Sequence, residues 1–342
     1  MAETTQPDTP YESFLEADAT SAQPESIEEF VRQIKETADK LATDGANRGD
    51  AKLLASAFKE LRHCFRVFAQ YRGQRKATVF GSARTPPTHP AYLAAVEFSR
   101  KIAAEGWRVI TGAASGIMEA GHVGAGRDAS FGLNILLPFE QQANPVILGD
   151  SKLMNLRYFF TRKLVFIKES DAVVLFPGGF GTHDEAFETL TLIQTGKTHV
   201  FPIVLVDEPG GTYWSRWQEF VKEGLLEKGY IGQQDLSLYK ITDSPDDAVQ
   251  EVVNFYKVYH SMRYVRGELV LRLSSPLSQA LLDDLRLNFT DILTGGTFEQ
   301  CGMLPMEANE PALKDMPRLR FKFNRHHHGR LRELINAINA GA

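Results

Sequence analysis

Residues 171–197 read DAVVLFPGGFGTHDEAFETLTLIQTGK (Asp171 to Lys197), and this stretch decides the fold. Ala172 to Phe176 is an unbroken apolar run rich in valine, the pattern of a strand buried on both faces of a parallel sheet. It passes directly into Pro177-Gly178-Gly179-Phe180-Gly181-Thr182, a glycine turn whose backbone can curl closely past a bound group. The spacing predicts a helix opening at Thr182, with its unpaired N–H groups and the positive end of its dipole turned back at the loop. Strand, glycine loop and helix N-terminus together make a phosphate cradle. An acid sits just inside the helix: Glu185 lies within one turn of the anion site, with Glu188 at i+3 on the same face. Two readings of Glu185 stand side by side. Thr182-x-x-Glu185 fits a capping box, in which the glutamate only returns to the cap N–H. In the other reading the carboxylate faces a ligand.

Upstream, Ala77 to Phe80 reads as the first strand, ending in Gly81-Ser82-Ala83-Arg84. Small residues at the carboxyl end of a strand are where an open α/β sheet binds ligands, so Ser82 is a candidate contact. Pro90 to Glu105 reads as a helix and Trp107 to Ile110 as a strand, followed by Thr111-Gly112-Ala113-Ala114-Ser115-Gly116-Ile117-Met118-Glu119 leading into another helix. Phe131 to Leu137 is a third strand, Asn155 to Phe160 a short one, and Thr161 a cap for a helix carrying Arg162 and Lys163. Adjacent bases early in a helix oppose its dipole, which makes sense where an anion binds between them. Downstream come a strand over His199 to Asp207, a helix over Tyr213 to Glu227 and a long amphipathic helix over Pro245 to Tyr259. Strands and helices alternating at this spacing predict a doubly wound parallel sheet, a Rossmann-like α/β domain.

The string Pro-Gly-Gly-x-Gly-Thr-x-x-Glu at 177–185, preceded by Arg162-Lys163, resembles the LONELY GUY (LOG) family, phosphoribohydrolases whose older name is lysine decarboxylase. The resemblance runs from about Lys76 to Tyr259. It implies hydrolysis of the N-glycosidic bond of a nucleoside 5′-monophosphate, AMP or a cytokinin riboside 5′-monophosphate, with Arg162 and Glu185 catalytic. It further implies substrate contacts at Ser82, Gly112, Met118, Glu140, Lys163, Gly178, Gly179, Phe180, Gly181, Thr182, Glu188 and Thr191. Lys163 would supplement the charge that holds the phosphate. Members usually carry more glycine near residues 112–116, so Ala113 and Ala114 are a departure that could narrow the pocket. LOG-like proteins assemble as dimers or higher oligomers. The apolar residues of Ala51 to Gln70 and of Pro245 to Tyr259 are more than one sheet face needs, so a homodimer or larger assembly is expected. No cofactor and no metal is expected. His326-His327-His328 are consecutive and point apart, whereas a metal wants ligands converging from spaced positions.

The flanks differ. Residues 1–26, rich in Thr, Pro, Asp and Glu, read as a disordered tail, and residues 27–75 as N-terminal helices with Ser26 as a cap. The LOG-like domain is expected over 76–262. From about Arg266 the pattern changes to β-α-β-β-α, read as a small α+β ferredoxin-like addition over 266–342. The chain has 342 residues, 43% hydrophobic and 24% charged, the balance of a globular protein. A net charge of −5 leaves no electrostatic footprint for nucleic acid or an anionic membrane, so neither is an expected partner. No apolar run spans a bilayer and no secretory signal opens the chain, and Cys64 and Cys301 read as thiols, which together suit the cytoplasm. Besides the hydrolase, a silent nucleotide or molybdenum-cofactor carrier on the same fold remains open, although a carrier needs the cradle and not the acid. A pyridoxal-phosphate decarboxylase is rejected, because no lysine lies in a Schiff-base context.

Overall fold

The computed structural model describes residues 26–137, 142–307 and 310–341, so the expected N-terminal tail and the candidate Glu140 lie outside the described residues. The helices, in chain order, are α1 (Ile27–Lys40), α2 (Arg48–Phe68), α3 (Pro90–Ala104), α4 (Ile117–Ala125), α5 (Phe159–Glu169), α6 (Phe180–Gln194), α7 (Tyr213–Phe220), α8 (Pro245–Phe255), α9 (Gln279–Asn288) and α10 (His328–Ala340). Ser26 caps α1 by accepting from Glu29 N at 3.2 Å. The chain divides into two compact units. Of the described residues, one unit comprises those within Leu53–Val258 and from Asn324 onward, and the other comprises those within Tyr259–Phe323 and up to Lys52.

The larger unit is built on β1 (Lys76–Phe80), β2 (Arg108–Thr111), β3 (Ser130–Ile135), β4 (Leu153–Leu156), β5 (Ala172–Leu175), β6 (Ile203–Val206) and β7 (Tyr239–Thr242). They form one parallel sheet in the order β4-β3-β2-β1-β5-β6-β7. Every residue of β1 and β5 is buried, as two-sided coverage requires. On one face Val79, Val109, Val174 and Val204 share a core with apolar residues of α3, α4 and α8. On the other, Phe80 meets Phe166 of α5 at 4.9 Å and Phe131 stacks on Phe68 of α2 at 4.8 Å. The doubly wound Rossmann-like sheet is as expected.

Several local expectations change. The strand expected over Asn155 to Phe160 lies at Leu153–Leu156, and α5 already opens at Phe159, so Thr161 is inside the helix and does not cap it. Helix Tyr213 to Glu227 is α-helical to Phe220 and continues as a π-helical turn over Val221–Leu226. Edge strand β7 was not anticipated. Four residues with a lysine among them, half exposed, carry too little pattern to stand out. The helix expected to reach Tyr259 stops at Phe255, and Tyr259 opens a strand.

That strand belongs to the second unit. β8 (Tyr259–Val265), β9 (Glu268–Leu273), β10 (Leu293–Cys301) and β11 (Arg318–Phe323) form an antiparallel sheet in the order β10-β11-β9-β8. Leu269, Leu271, Leu285 of α9, Phe298 and Phe321 are buried. Glu307 is fully buried between Arg272 and Arg318, accepting from the Nε of each at 2.8 and 3.1 Å. From Glu268 onward the order β9-α9-β10-β11-α10 is the expected β-α-β-β-α, and β8 adds a strand ahead of it. The order β10-β11-β9 is that of a ferredoxin-like sheet, with β8 from earlier in the chain on the outer edge. The closing helix α10 packs instead in the larger unit. A Cβ at Gly329 would fall 2.0 Å from Gln234 O, and Leu331, Leu334, Ile335 and Ile338 are buried. Asn339 donates to Phe255 O and accepts from Val258 N. The histidine run forms the entrance of this helix, with His326 exposed and His328 buried against Gly196.

Candidate active site

In the strand order the chain direction of winding reverses between β1 and β5, so the loops leaving these two strands part and open a crevice at their carboxyl ends. Both loops are glycine loops. Ser82 N donates to Pro177 O at 3.1 Å and ties them together at the base. A Cβ on Gly178 would come within 2.1 Å of Thr182 Oγ1 and 2.9 Å of Ser82 N, so no side chain fits there. Gly116, at φ +67°, closes the third loop against them, with its absent Cβ 2.2 Å from Ser82 O. Gly179 and Gly181 differ: a Cβ on either meets nothing within 4 Å. Protein packing does not demand glycine at those two positions, and the space beside them opens on the crevice.

Helix α6 begins at Phe180 with Gly179 as its N-cap and no side chain capping it. Thr182 is thus the third helical residue, two positions later than the sequence suggested, and the capping-box reading of Thr182 and Glu185 fails. Tyr213 of α7 donates to Gly178 O at 2.5 Å, and His183 Nε2 lies 2.7 Å from the same hydroxyl. With its one proton on Gly178 O, the Tyr213 oxygen accepts from His183. This latch pins the carbonyl side of the glycine loop, and nothing local in sequence announces it.

Helix α5 also opens without a cap of its own. Glu60 of α2 ties down the chain at its entrance, accepting from Arg157 N at 3.0 Å and from the Thr161 hydroxyl at 2.7 Å. Arg162 then closes the first turn of α5. Its guanidinium lies 5.2 Å from the Phe166 ring centroid. A Cβ on Gly112 would sit 2.6 Å from Met118 Sδ and 2.7 Å from Arg162 Nη2, so the three candidates Gly112, Met118 and Arg162 meet in one layer. Arg162 Nε is buried with no hydrogen-bond partner among the described residues. Burial pulls the Arg162 pKa down, and Glu185 opposes it.

Glu185 is buried, 7% exposed, and its Oε2 likewise has no partner among the described residues. Burial pushes its carboxyl up from 4.5 to about 7, against the pull of Lys163 and Arg162. Lys163 Nζ lies 2.5 Å from Glu188, 2.9 Å from Asp184 and 3.8 Å from Glu185. Desolvation works against the Lys163 charge, but its carboxylate partners outweigh it and raise its pKa.

The crevice encloses about 440 Å³, within the range of small-molecule sites. Of the expected contacts, Ser82, Met118, Arg162, Gly179, Phe180, Gly181, Thr182 and Glu185 line it. Gly112 and Gly178 stand directly behind that lining. Lys163 and Glu188 pair with each other behind Glu185 and are not part of the wall. Thr191 is not brought in: it borders a separate small apolar cavity with Phe187, Trp217 and Tyr239. Arg84, Phe159 and Asp184 line the crevice without having been singled out, and for Arg84 the signal was its place at the end of the Gly81-Ser82-Ala83 loop. Ala113 and Ala114 do not line it. Ala113 packs with Ala143 and Ile147, and Asn144 Nδ2 holds both alanine carbonyls at 3.1 Å. The departure from glycine leaves Ala113 at φ +62° and does not narrow the crevice.

A family model described as "Possible lysine decarboxylase" matches residues 111–252. A cytokinin riboside 5′-monophosphate phosphoribohydrolase of Mycobacterium tuberculosis (strain ATCC 25618 / H37Rv) is 29% identical over 174 residues, covering 48% of this chain and 87% of that protein. A probable cytokinin riboside 5′-monophosphate phosphoribohydrolase of Oryza sativa subsp. japonica is 26% identical over 117 residues, 34% of this chain and 47% of that one. Among solved structures, the molybdenum cofactor binding protein from Rippkaea orientalis aligns with a TM-score of 0.36 and 19% identity over 52% of this chain and 94% of its own. The molybdenum cofactor carrier protein from Chlamydomonas reinhardtii gives 0.36 and 21% over 53% and 98%. The family match takes in α5, the glycine loop and α6, and over that stretch the chain is similar to the LOG family.

Proposed function

We propose that the protein hydrolyses the N-glycosidic bond of a nucleoside 5′-monophosphate, AMP or a cytokinin riboside 5′-monophosphate, releasing the free base and ribose 5-phosphate. The observation that carries this reading is the pairing of a buried carboxyl and a buried guanidinium, Glu185 and Arg162, on the wall of one crevice beside an uncapped helix N-terminus. A phosphate fits the N-terminus of α6, where backbone N–H groups and the helix dipole favour negative charge. Cleavage of the glycosidic bond develops oxocarbenium character on the ribose. The Glu185 carboxylate, one turn from the cradle, stabilises that charge and takes a proton from the attacking water. The Arg162 fork, with an unused buried Nε, binds the phosphate or the ribose hydroxyls. The relatives named as phosphoribohydrolases support the same chemistry.

The working unit in this reading is a homodimer or larger. Leu54, Phe58, Phe160 and Leu164 stand exposed on α2 and α5. Helix α8 contributes nothing to that surface, because Val249, Val252 and Phe255 are buried in its own unit.

Incubation of the purified protein with a panel of nucleoside monophosphates, with released bases resolved by chromatography, tests the reaction. AMP should exceed adenosine in kcat/KM by at least about 100-fold, since an uncharged nucleoside cannot use a charge-assisted cradle. Equal values, or no base released from any nucleotide, would refute it.

A further inference from the structure

We propose that Lys163 is a positioning residue that acts through Glu185, holding it as a carboxylate from behind the crevice, and is not a ligand of the substrate phosphate. This rests on the reading of Glu185 as the acting carboxylate.

The geometry separates the two adjacent bases of α5. Neighbouring residues on a helix point about 100° apart, and here Arg162 reaches the crevice wall whereas Lys163 does not. Lys163 instead enters a group of three acids on consecutive turns of α6. Its Nζ is 2.5 Å from Glu188, 2.9 Å from Asp184 and 3.8 Å from Glu185. One ammonium among three carboxylates has no positive charge to spare for a phosphate. Its side chain is only 18% exposed, so the position is held by packing as well as charge.

The charged groups around Glu185 divide by helix. Lys163 and Arg162 of α5 favour its ionised form, while Glu188 and Asp184 of its own helix oppose it. Arg84 stands on the crevice wall with it. Burial is the largest force toward the neutral acid, and Lys163 is the largest one against. Glu188 and Asp184 compete with Glu185 for the same ammonium, so they tune it twice: by direct repulsion and by drawing Lys163 away.

The opposed signs make the test. Lys163→Met, Lys163→Arg and Glu188→Gln would be compared with the parent protein by NMR titration of 13C-labelled glutamate carboxyls, with Glu185→Gln identifying the Glu185 signal. The kcat/KM for AMP and adenosine would be followed from pH 5 to 9. Lys163→Met should raise the Glu185 midpoint by about one pH unit or more and lower kcat/KM at pH 7 by at least about fivefold, the fall in ionised fraction that one unit implies at a midpoint near the assay pH. Activity should recover toward pH 9 with the preference for AMP intact, and Lys163→Arg should restore most of the midpoint. Glu188→Gln should move the midpoint down. A Glu185 midpoint unmoved in folded Lys163→Met, or a preference for AMP that collapses at every pH, overturns the proposal. If Lys163→Met does not fold, Glu188→Gln decides by sign, and a midpoint that stays or rises overturns it. A protein that cleaves no nucleotide refutes the hydrolase reading alone, because the carboxyl titration is read without turnover.

Discussion

Replacing Glu185 by Gln should make the protein more stable and nearly inactive, and the gain in stability should depend on pH. The carboxyl is held at about 7 in the folded protein against an ordinary 4.5. Between those values the folded state binds a proton that the unfolded chain has released. Stability attached to this group is therefore fully present below pH 4.5 and is lost as pH rises through 7. At about 1.4 kcal/mol per pH unit, ionising Glu185 in place costs about 3 kcal/mol by pH 8. Glutamine keeps the shape and never ionises. Urea unfolding should thus show Glu185→Gln within about 0.5 kcal/mol of the parent at pH 4.5 and up to about 3 kcal/mol more stable at pH 8. Activity should move the other way. The variant should lose at least about 100-fold in kcat, the scale of one positioned acid–base group. The parent should gain about tenfold in kcat/KM per pH unit while Glu185 ionises below pH 7. An equal stability difference at both pH values would show that Glu185 does not titrate near neutrality. Normal turnover in the variant would remove it from the mechanism.

The glycine loop and the assembly give further expectations. Gly178→Ala should lower the melting temperature, because its Cβ would lie 2.9 Å from Ser82 N and 2.1 Å from Thr182 Oγ1. Gly179→Ala should leave the melting temperature within about 1 °C, since nothing lies within 4 Å, yet raise KM for AMP by about tenfold; an unchanged KM would mean that no ligand approaches there. Light scattering at micromolar concentration should return a multiple of 38.2 kDa, and a mass near 38.2 kDa itself would end the oligomer reading. Ala113→Gly should be nearly neutral, within about 0.5 kcal/mol, because relief of a left-handed alanine offsets the added freedom of glycine. A loss of 2 kcal/mol or more by urea unfolding would show that its Cβ contacts outweigh that strain.

What the sequence announced were features whose cause is local. An apolar run followed by glycines makes β5 and its loop recognisable before any neighbour is known, and the Arg162 and Glu185 positions follow from that loop and its motif. Where the cause is tertiary the reading failed. Thr182 looks like a cap because threonine commonly is one, yet the helix starts two residues earlier, at Phe180, with glycine as its N-cap. Nor does the sequence around Lys163 announce the three acids that α6 brings to it. The Glu60 tie to Thr161 of α5 and the Tyr213 latch on Gly178 join residues 101 and 35 positions apart, and no periodicity encodes such pairs. Helix α10 was recognised as a helix, but which core it would enter was not written in its own pattern.

That last assignment bears on how the protein is made. Helix α10 completes the larger unit, yet the ribosome delivers it only after all of Tyr259–Phe323. At about 5–20 residues per second the delay is several seconds, far longer than a helix or a collapsed core needs to form. During that interval the nascent unit exposes the apolar bed that Leu331, Leu334, Ile335 and Ile338 later cover. The intervening sheet can fold in the meantime from strands that are neighbours in sequence, β8 with β9 and β10 with β11. Biosynthesis would then run from a waiting parallel sheet, through a finished insert, to a final docking of α10, with the crevice-bearing unit the last to become complete.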